Sequence, residues 1–229
     1  MFKFMNMPSL VVDSGLERSV RVALIWGLDM PDCSRTGSEP IYISALLNRV
    51  RSSGETFIPP ARKAAVRGML RFGKYKPTGR GKPSSEYLLG AALSGEFPLV
   101  NSPVDVNNAV SLECGYPASL FDMEICGSEL LLRRGIAGES YVFNPSGQSI
   151  DLEDLLCICR RDGNGWLPCG NPVKDCMATK TSESTRSVAA VIYAPASDPI
   201  ADLDAAAAAF ATLLRSESHA SQTGYLVIG

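Results

Sequence analysis

Residues Asn101–Asp122 read NSPVDVNNAVSLECGYPASLFD, and this stretch organises everything around it. Pro103 opens it, and Asp105 is placed to cap a helix through its side-chain oxygen. Val106, Ala109 and Val110 recur at helical spacing, and Gly115 followed by Pro117 stops the helix. A helix start needs one capping carboxylate or amide. This segment holds a whole row of small polar groups, among them Asn101, Ser102, Asn107, Asn108, Ser111 and Ser119. Such groups beside a helix N-terminus with free amides suit a pocket for the polar end of a small ligand. The plainer reading of the same residues is a capped surface helix.

Working outward, VRVALIWGLDM reads as a buried strand within an alternating first 30 residues, and residues 31–40 form a loop. IYISALLNRVRSS reads as a helix with Ile41, Ala45 and Leu46 on one face. A second helix follows the Pro59–Pro60 pair, with Ala64, Ala65, Gly68 and Met69 inward and Arg62, Lys63, Arg67 and Arg71 outward. GKYKPTGRGKP is a Gly- and Pro-rich loop whose backbone is open to close approach by a phosphate, and SSEYLLGAALSG is a helix with a Ser cap. Past Asp122 the pattern changes: SELLLRRGIAG, ESYVF, LLCICRR and SVAAVIYAP are strands between Gly, Asn and Pro turns. DLDAAAAAFATLLRSE is a closing helix with an Asp cap, whose Leu203, Ala206, Ala207, Phe210, Leu213 and Leu214 dock on the sheet. Helices, then strands, then one helix describe an α+β fold: a single domain with N-terminal helices, a central mainly antiparallel sheet and a C-terminal helix.

A chain of 229 residues suits one core with extensions. Charged residues at 20% and a mean hydropathy of +0.06 fit a soluble globular protein, and no apolar run approaches the roughly 20 residues that span a bilayer. The first 15 residues lack the apolar core and cleavage site of a secretion signal, so the expected location is cytoplasmic. Seven cysteines contain no CxxC pair and the one histidine is His219, so neither a metal nor a disulfide is expected. Cys157 and Cys159 share one face of an apolar strand. No nucleophile triad can be assembled, Asp105 and Asp122 are accounted for as cap and turn, and no nucleotide-binding glycine motif occurs. No cofactor is expected.

The net charge of −2 conceals a division. Thr56–Ser85 holds eight basic residues (Arg62, Lys63, Arg67, Arg71, Lys74, Lys76, Arg80 and Lys82) and no Asp or Glu, leaving 14 basic against 24 acidic elsewhere. An acidic body with one basic arm is the layout of a protein that meets a polyanion along one edge. These eight are the expected RNA contacts.

The residues from Val104 to Asp122 resemble the VD-[VI]-x-N-x-x-x-x-E-x-G-x-P-x-x-x-FD signature of the B3/B4 domain of the bacterial phenylalanyl-tRNA synthetase β subunit. The resemblance continues in order through residues 130–159 and 181–195, and FGKYKPTGRGKPSSEYLLGAAL resembles a run of free-standing B3/4 proteins. It implies a core over 60–195, an extension of the same domain over 1–59, and a C-terminal helix and tail over 196–229. In that synthetase the domain edits, hydrolysing tyrosine wrongly attached to its tRNA. The resemblance therefore implies a free-standing editing domain without ligase activity, which meets an aminoacylated tRNA in trans and cleaves the aminoacyl ester. A pocket that orients water and stabilises an oxyanion supplies much of that catalysis, so the missing triad is no obstacle.

By position, the family's threonine falls on Asn107, its histidine on Ser119, and the glutamate that reads the tyrosine hydroxyl at about Val191. Asn107 and Ser119 are thus the implied catalytic positions, with Asn108, Ser111 and Val191 around the amino acid. Without the glutamate, a tyrosine hydroxyl would lack an acceptor at a cost of about 1–3 kcal/mol, which points to a smaller or apolar noncognate amino acid. Two rivals remain: a non-catalytic RNA-binding module that kept the fold, and an amino-acid sensor that needs no polyanion surface.

Overall fold

The computed structural model describes residues 7–31, 33 and 38–229; residues 1–6 and, from the loop expected over 31–40, residues 32 and 34–37 lie outside the described residues. In chain order the regular elements are β1 (Ser9–Val12), β2 (Val20–Leu28), α1 (Ile41–Ser53), α2 (Pro60–Leu70), α3 (Ser84–Ser94), α4 (Ser102–Cys114), β3 (Ala118–Asp122) and α5 (Met123–Cys126). They continue with β4 (Glu129–Arg134), β5 (Ser140–Val142), β6 (Ser149–Asp151), β7 (Leu156–Asp162), β8 (Gly165–Gly170), β9 (Val188–Pro195), α6 (Ile200–Ser216) and β10 (Gln222–Ile228). The α+β class stands, but the strands form two four-stranded sheets rather than one, with orders β10-β2-β9-β3 and β1-β4-β7-β8, beside a β5–β6 hairpin. Every pairing is antiparallel except β1 with β4.

Burial on both faces explains the composition of the central strands. β9 is buried at all eight positions and lies between β2 and β3, with Val191 opposite Leu24 on one side and Ser119 on the other. β2 is covered in turn by β10, and α6 packs over both through Leu203, Ala207, Phe210 and Leu214. Residues 9–28 and 222–228, outside the 60–195 stretch, thus contribute β1, β2 and β10. A second apolar cluster joins α1, α3 and α4 through Ile43, Leu47, Leu89 and Leu112. A third sits beneath the hairpin, where Cys157 and Cys159 pack with Tyr141 and Leu152.

Several local expectations shift. α1 turns Ile43, Leu46, Leu47 and Val50 inward, and Ile41 is exposed at its first turn. α2 buries Val66, Met69 and Leu70, leaving Ala64 and Gly68 outside, because the larger apolar groups win the inward positions. Neither α3 nor α6 has the side-chain cap read from its sequence; each starts after a proline, Pro83 and Pro199. Asp122 ends a strand, β3, and caps the short α5 by accepting from Glu124 N.

Candidate functional site

Helix α4 is capped one turn earlier than its sequence implied. Asn101 is the N-cap, accepting from Val104 N at 3.2 Å, while Asp105 reaches back to accept from Val100 N at 2.7 Å. Pro103 occupies the first turn, where no intrahelical N–H is needed. The early start carries Asn107 into the second turn, so its side chain, not free backbone amides, is what it offers a ligand. Gly115, at φ +75°, closes the helix and sends the chain into β3.

Between α3, α4, β3 and the segment after β8 lies a cavity of about 310 Å³. Leu88, Val104, Leu120 and Val173 supply apolar wall, and Ser84, Asn107, Asn108 and Asp175 supply polar groups. Among the described residues, three buried side-chain polar atoms lack a hydrogen-bond partner: Ser84 Oγ, Asn107 Oδ1 and Asp175 Oδ1. All three belong to residues lining this cavity. Buried polar groups without partners are costly, so three of them among the lining residues set this hollow apart from ordinary core.

Their orientations are set by neighbours. Asn107 is 7% exposed, and its Nδ2 donates to Asn108 Oδ1 at 3.3 Å, whose Nδ2 donates to Pro98 O at 3.4 Å. This amide relay leaves Asn107 Oδ1 as the open end. Asp175 Oδ2 accepts from Leu120 N at 3.1 Å, while Oδ1 is buried on the side of Gly170 and Phe121. Burial pushes the Asp175 carboxyl up to about 6, against the opposing pull of hydrogen bonds and of Lys180. Gly170 permits this placement: a Cβ there would lie 2.2 Å from Phe121 Cε1 and 2.6 Å from Asp175 Oδ1.

The cavity adjoins an outer cleft of about 490 Å³ that shares Tyr87, Val173, Lys174, Asp175 and Lys180 with it and adds Arg80, Lys82 and Phe143. Lys174 Nζ lies 4.0 Å from the centroid of the Phe143 ring, and Lys180 Nζ donates to Phe143 O at 2.7 Å. Burial, then the nearby Arg80, lower the Lys174 pKa. None of these four cations is in an ion pair among the described residues. The mouth is therefore cationic and the floor carries a carboxyl.

The family model of the B3/4 domain matches residues 74–215, which is more than half of the chain and includes both hollows. The chain belongs to the B3/4 domain family. No curated protein matches it in sequence. Among solved structures it is similar to an N-terminal fragment of the phenylalanyl-tRNA synthetase β-subunit from Pyrococcus horikoshii, at 9% identity and a TM-score of 0.48. That match covers 98% of this chain and 53% of the other, so the chain spans about half of that fragment's length.

Within this B3/4 domain the expected site residues separate. Asn107 and Asn108 line the cavity. Ser119 does not: it is wholly buried, donates from Oγ to Asn171 O at 3.0 Å, and meets Tyr193 OH at 3.0 Å. Its strand neighbours Ala118 and Leu120 face the cavity instead, as alternation along β3 requires. Ser111 is also wholly buried, and its Oγ donates to Tyr116 O at 2.7 Å across the helix end. Val191 sits inside β9, away from the cavity lining.

The basic stretch divides too. Arg62 pairs with Asp198 and Asp202 and stacks on Tyr116, Lys63 pairs with Glu55, Arg67 with Glu86, and Lys74 with Glu153. Arg71, Lys76, Arg80 and Lys82 have no such partner among the described residues, and only Arg80 and Lys82 reach the cleft. Ser84, Asp175, Lys174 and Lys180 were missed by sequence reasoning. The one signal was NPVKDC after β8, a Pro-broken loop carrying two charges within an otherwise apolar stretch.

A third hollow, of about 480 Å³ between α1, α4 and α6, is lined largely by Ala and Leu, and its Arg49, Arg62, Glu113 and Asp202 are tied to one another. Burial raises the Cys114 and Cys126 thiols to about 12, away from nucleophilic use near neutral pH.

Proposed function

We propose that this B3/4 domain edits misacylated tRNA in trans, hydrolysing the aminoacyl ester without any ligase activity. The observation that carries this is the half-polar cavity lined by Ser84, Asn107, Asn108 and Asp175, adjoining a cleft lined by Arg80, Lys82, Lys174 and Lys180. A single-stranded tRNA end carrying an amino acid matches that order: phosphates on the cations, ester at the neck, amino acid in the cavity. The apolar walls favour a small or apolar side chain over one with a hydroxyl to satisfy. No helix of the described residues is long and apolar enough to cross a membrane.

The chemistry asks little of the protein. The ester is already reactive, so its carbonyl needs an attacking water held in line and hydrogen bonds for the oxyanion. Asn107, at the end of the amide relay, is the group we place on the aminoacyl end. Ser119 acts through Asn171, whose side-chain oxygen accepts from Val173 N and Lys174 N at 2.8 Å each and so shapes the loop that delivers Asp175. The same position of Ser119 supports a second reading, a binding module without hydrolysis, because it presents no side chain to the cavity.

A panel of tRNAs misacylated with Ala, Ser, Val, Leu, Ile, Phe and Tyr decides between them. Release of amino acid well above the spontaneous rate for at least one member, with Tyr among the poorest, is the expected result. Binding of these tRNAs with no accelerated release from any of them would establish the module instead.

A further inference from the structure

The outer cleft holds an aromatic ring as well as its cations. Tyr87 lines both this cleft and the inner cavity. It stands on α3 away from Leu88, Leu89, Ala91 and Ala92, which face the core, and it is 57% exposed. An exposed tyrosine is ordinary by itself, but the setting of this one is not. The exposed Phe72 has the Arg134 guanidinium 4.1 Å from its ring centroid, and Phe143, across the cleft, has Lys174 Nζ at 4.0 Å. Tyr87 has no cation over its ring among the described residues. An open aromatic face therefore shares a hollow of about 490 Å³ with Arg80, Lys82, Lys174 and Lys180, none of them in an ion pair among the described residues. Cations alone hold any polyanion, duplex or single strand. An aromatic face adds a contact available only to a base that has left its own stack.

We infer that the outer cleft holds one unpaired nucleotide, its base stacked on the Tyr87 ring and the phosphates leading into it on Arg80, Lys82, Lys174 and Lys180. This rests on the reading that an RNA end carrying an amino acid enters by this cleft. Because Tyr87 lines both hollows, a base on its ring sets the attached sugar at the neck, beside the cavity. Burial, then the nearby Arg80, lower the Lys174 pKa, and a bound phosphate opposes both effects by favouring the charged ammonium. Every base has a π-face, so this contact reads single-strandedness rather than sequence. Selection among amino acids is then left to the inner cavity.

The test uses 5′-phosphorylated tetranucleotide RNAs whose 3′-terminal residue either keeps its base or is abasic, with a blunt RNA duplex as control, titrated calorimetrically into the full chain at low salt. The intact strand should bind about fivefold or more tighter than its abasic twin, the loss of one base–aromatic stack. Tyr87→Ala should reduce that ratio to twofold or less by weakening the intact strand alone, with no change in melting temperature, and Tyr87→Phe should keep the ratio. Arg80→Ala and Lys82→Ala should weaken intact and abasic strands alike, because phosphate contacts do not depend on the base. Equal binding of intact and abasic strands would overturn the inference, as would an undiminished ratio in Tyr87→Ala, a duplex bound as tightly as the intact strand, or no binding of any single strand. A base preference that depends on Tyr87, without release of amino acid from any misacylated tRNA, would defeat the proposed editing alone. Accelerated release that Tyr87→Ala leaves unchanged in both KM and kcat would defeat the base site alone.

Discussion

Asp175 shows at one residue how a site departs from what stability alone would select. Its pKa is raised from an ordinary 3.8 to about 6, so the folded protein holds a proton there that the unfolded chain has already released. The group therefore favours the fold at low pH, and that contribution is lost as pH rises between about 4 and 6. Asp175→Asn should then melt higher than the parent at pH 7.5, by up to about 3 kcal/mol of stability, with the gain vanishing below pH 4. Melts across that range check it, and a variant less stable at pH 7.5 would refute it. Asn107 is a complementary case, for its Oδ1 has no partner and its Nδ2 bond to Asn108 is long at 3.3 Å. Asn107→Ala should lower deacylation about tenfold or more, the loss of one positioned hydrogen bond, with little shift in melting temperature and no loss of uncharged tRNA binding. Ser119→Ala should do the reverse. It leaves Tyr193 OH and Asn171 O short of a buried partner, and the melt should report about 1–3 kcal/mol.

At the scale of elements, α4 and β8 hold the site through two glycines. Gly115 has φ +75°, and a Cβ there would meet Ile58 Cγ2 at 2.8 Å, so Gly115→Ala should destabilise the protein by about 1–2 kcal/mol from the left-handed backbone alone. Gly170 has an ordinary backbone but no room beside Phe121 and Asp175. Gly170→Ala should displace the Asp175 carboxyl and abolish hydrolysis, and a variant with full turnover would separate Asp175 from the reaction. α4 itself was legible, because Pro103, the periodic Val106, Ala109 and Val110, and Gly115 are local signals. Its cap was misjudged by four residues because Asn101 and Asp105 are both good caps, and only the chain's entry from Val100 decides which one closes the helix. The strands β8 and β10 carry glycine and polar residues that blur their alternation, and pairing with β7 and β2 makes them strands.

At the scale of the molecule, electrostatics decides which cations meet RNA. Lys63 and Arg67 are held by Glu55 and Glu86, whereas Arg80, Lys82, Lys174 and Lys180 surround the cleft without ion-pair partners among the described residues. If each of those four meets one phosphate, the log–log salt dependence of tRNA affinity should have a slope of about −3. Charge reversal at Arg80, Lys82 and Lys180 should flatten that slope, and reversal at Lys63 and Arg67 should leave it nearly unchanged. The sequence alone determined the α+β class, the polar helix at the centre of the chain and the resemblance to B3/4 domains, because periodicity, breakers and motif order are written along the chain. Tertiary structure alone decided which polar groups share a cavity. Asn107 faces it and Ser111, four residues on, is locked to the helix end, while Ser119 points away because its strand alternates. Ser84 and Asp175 stand 91 positions apart, and Glu55, Glu86 and Glu153 silence cations that in sequence look free. Partnership between side chains distant in sequence depends on how the sheets and helices pack, and composition carries no record of it.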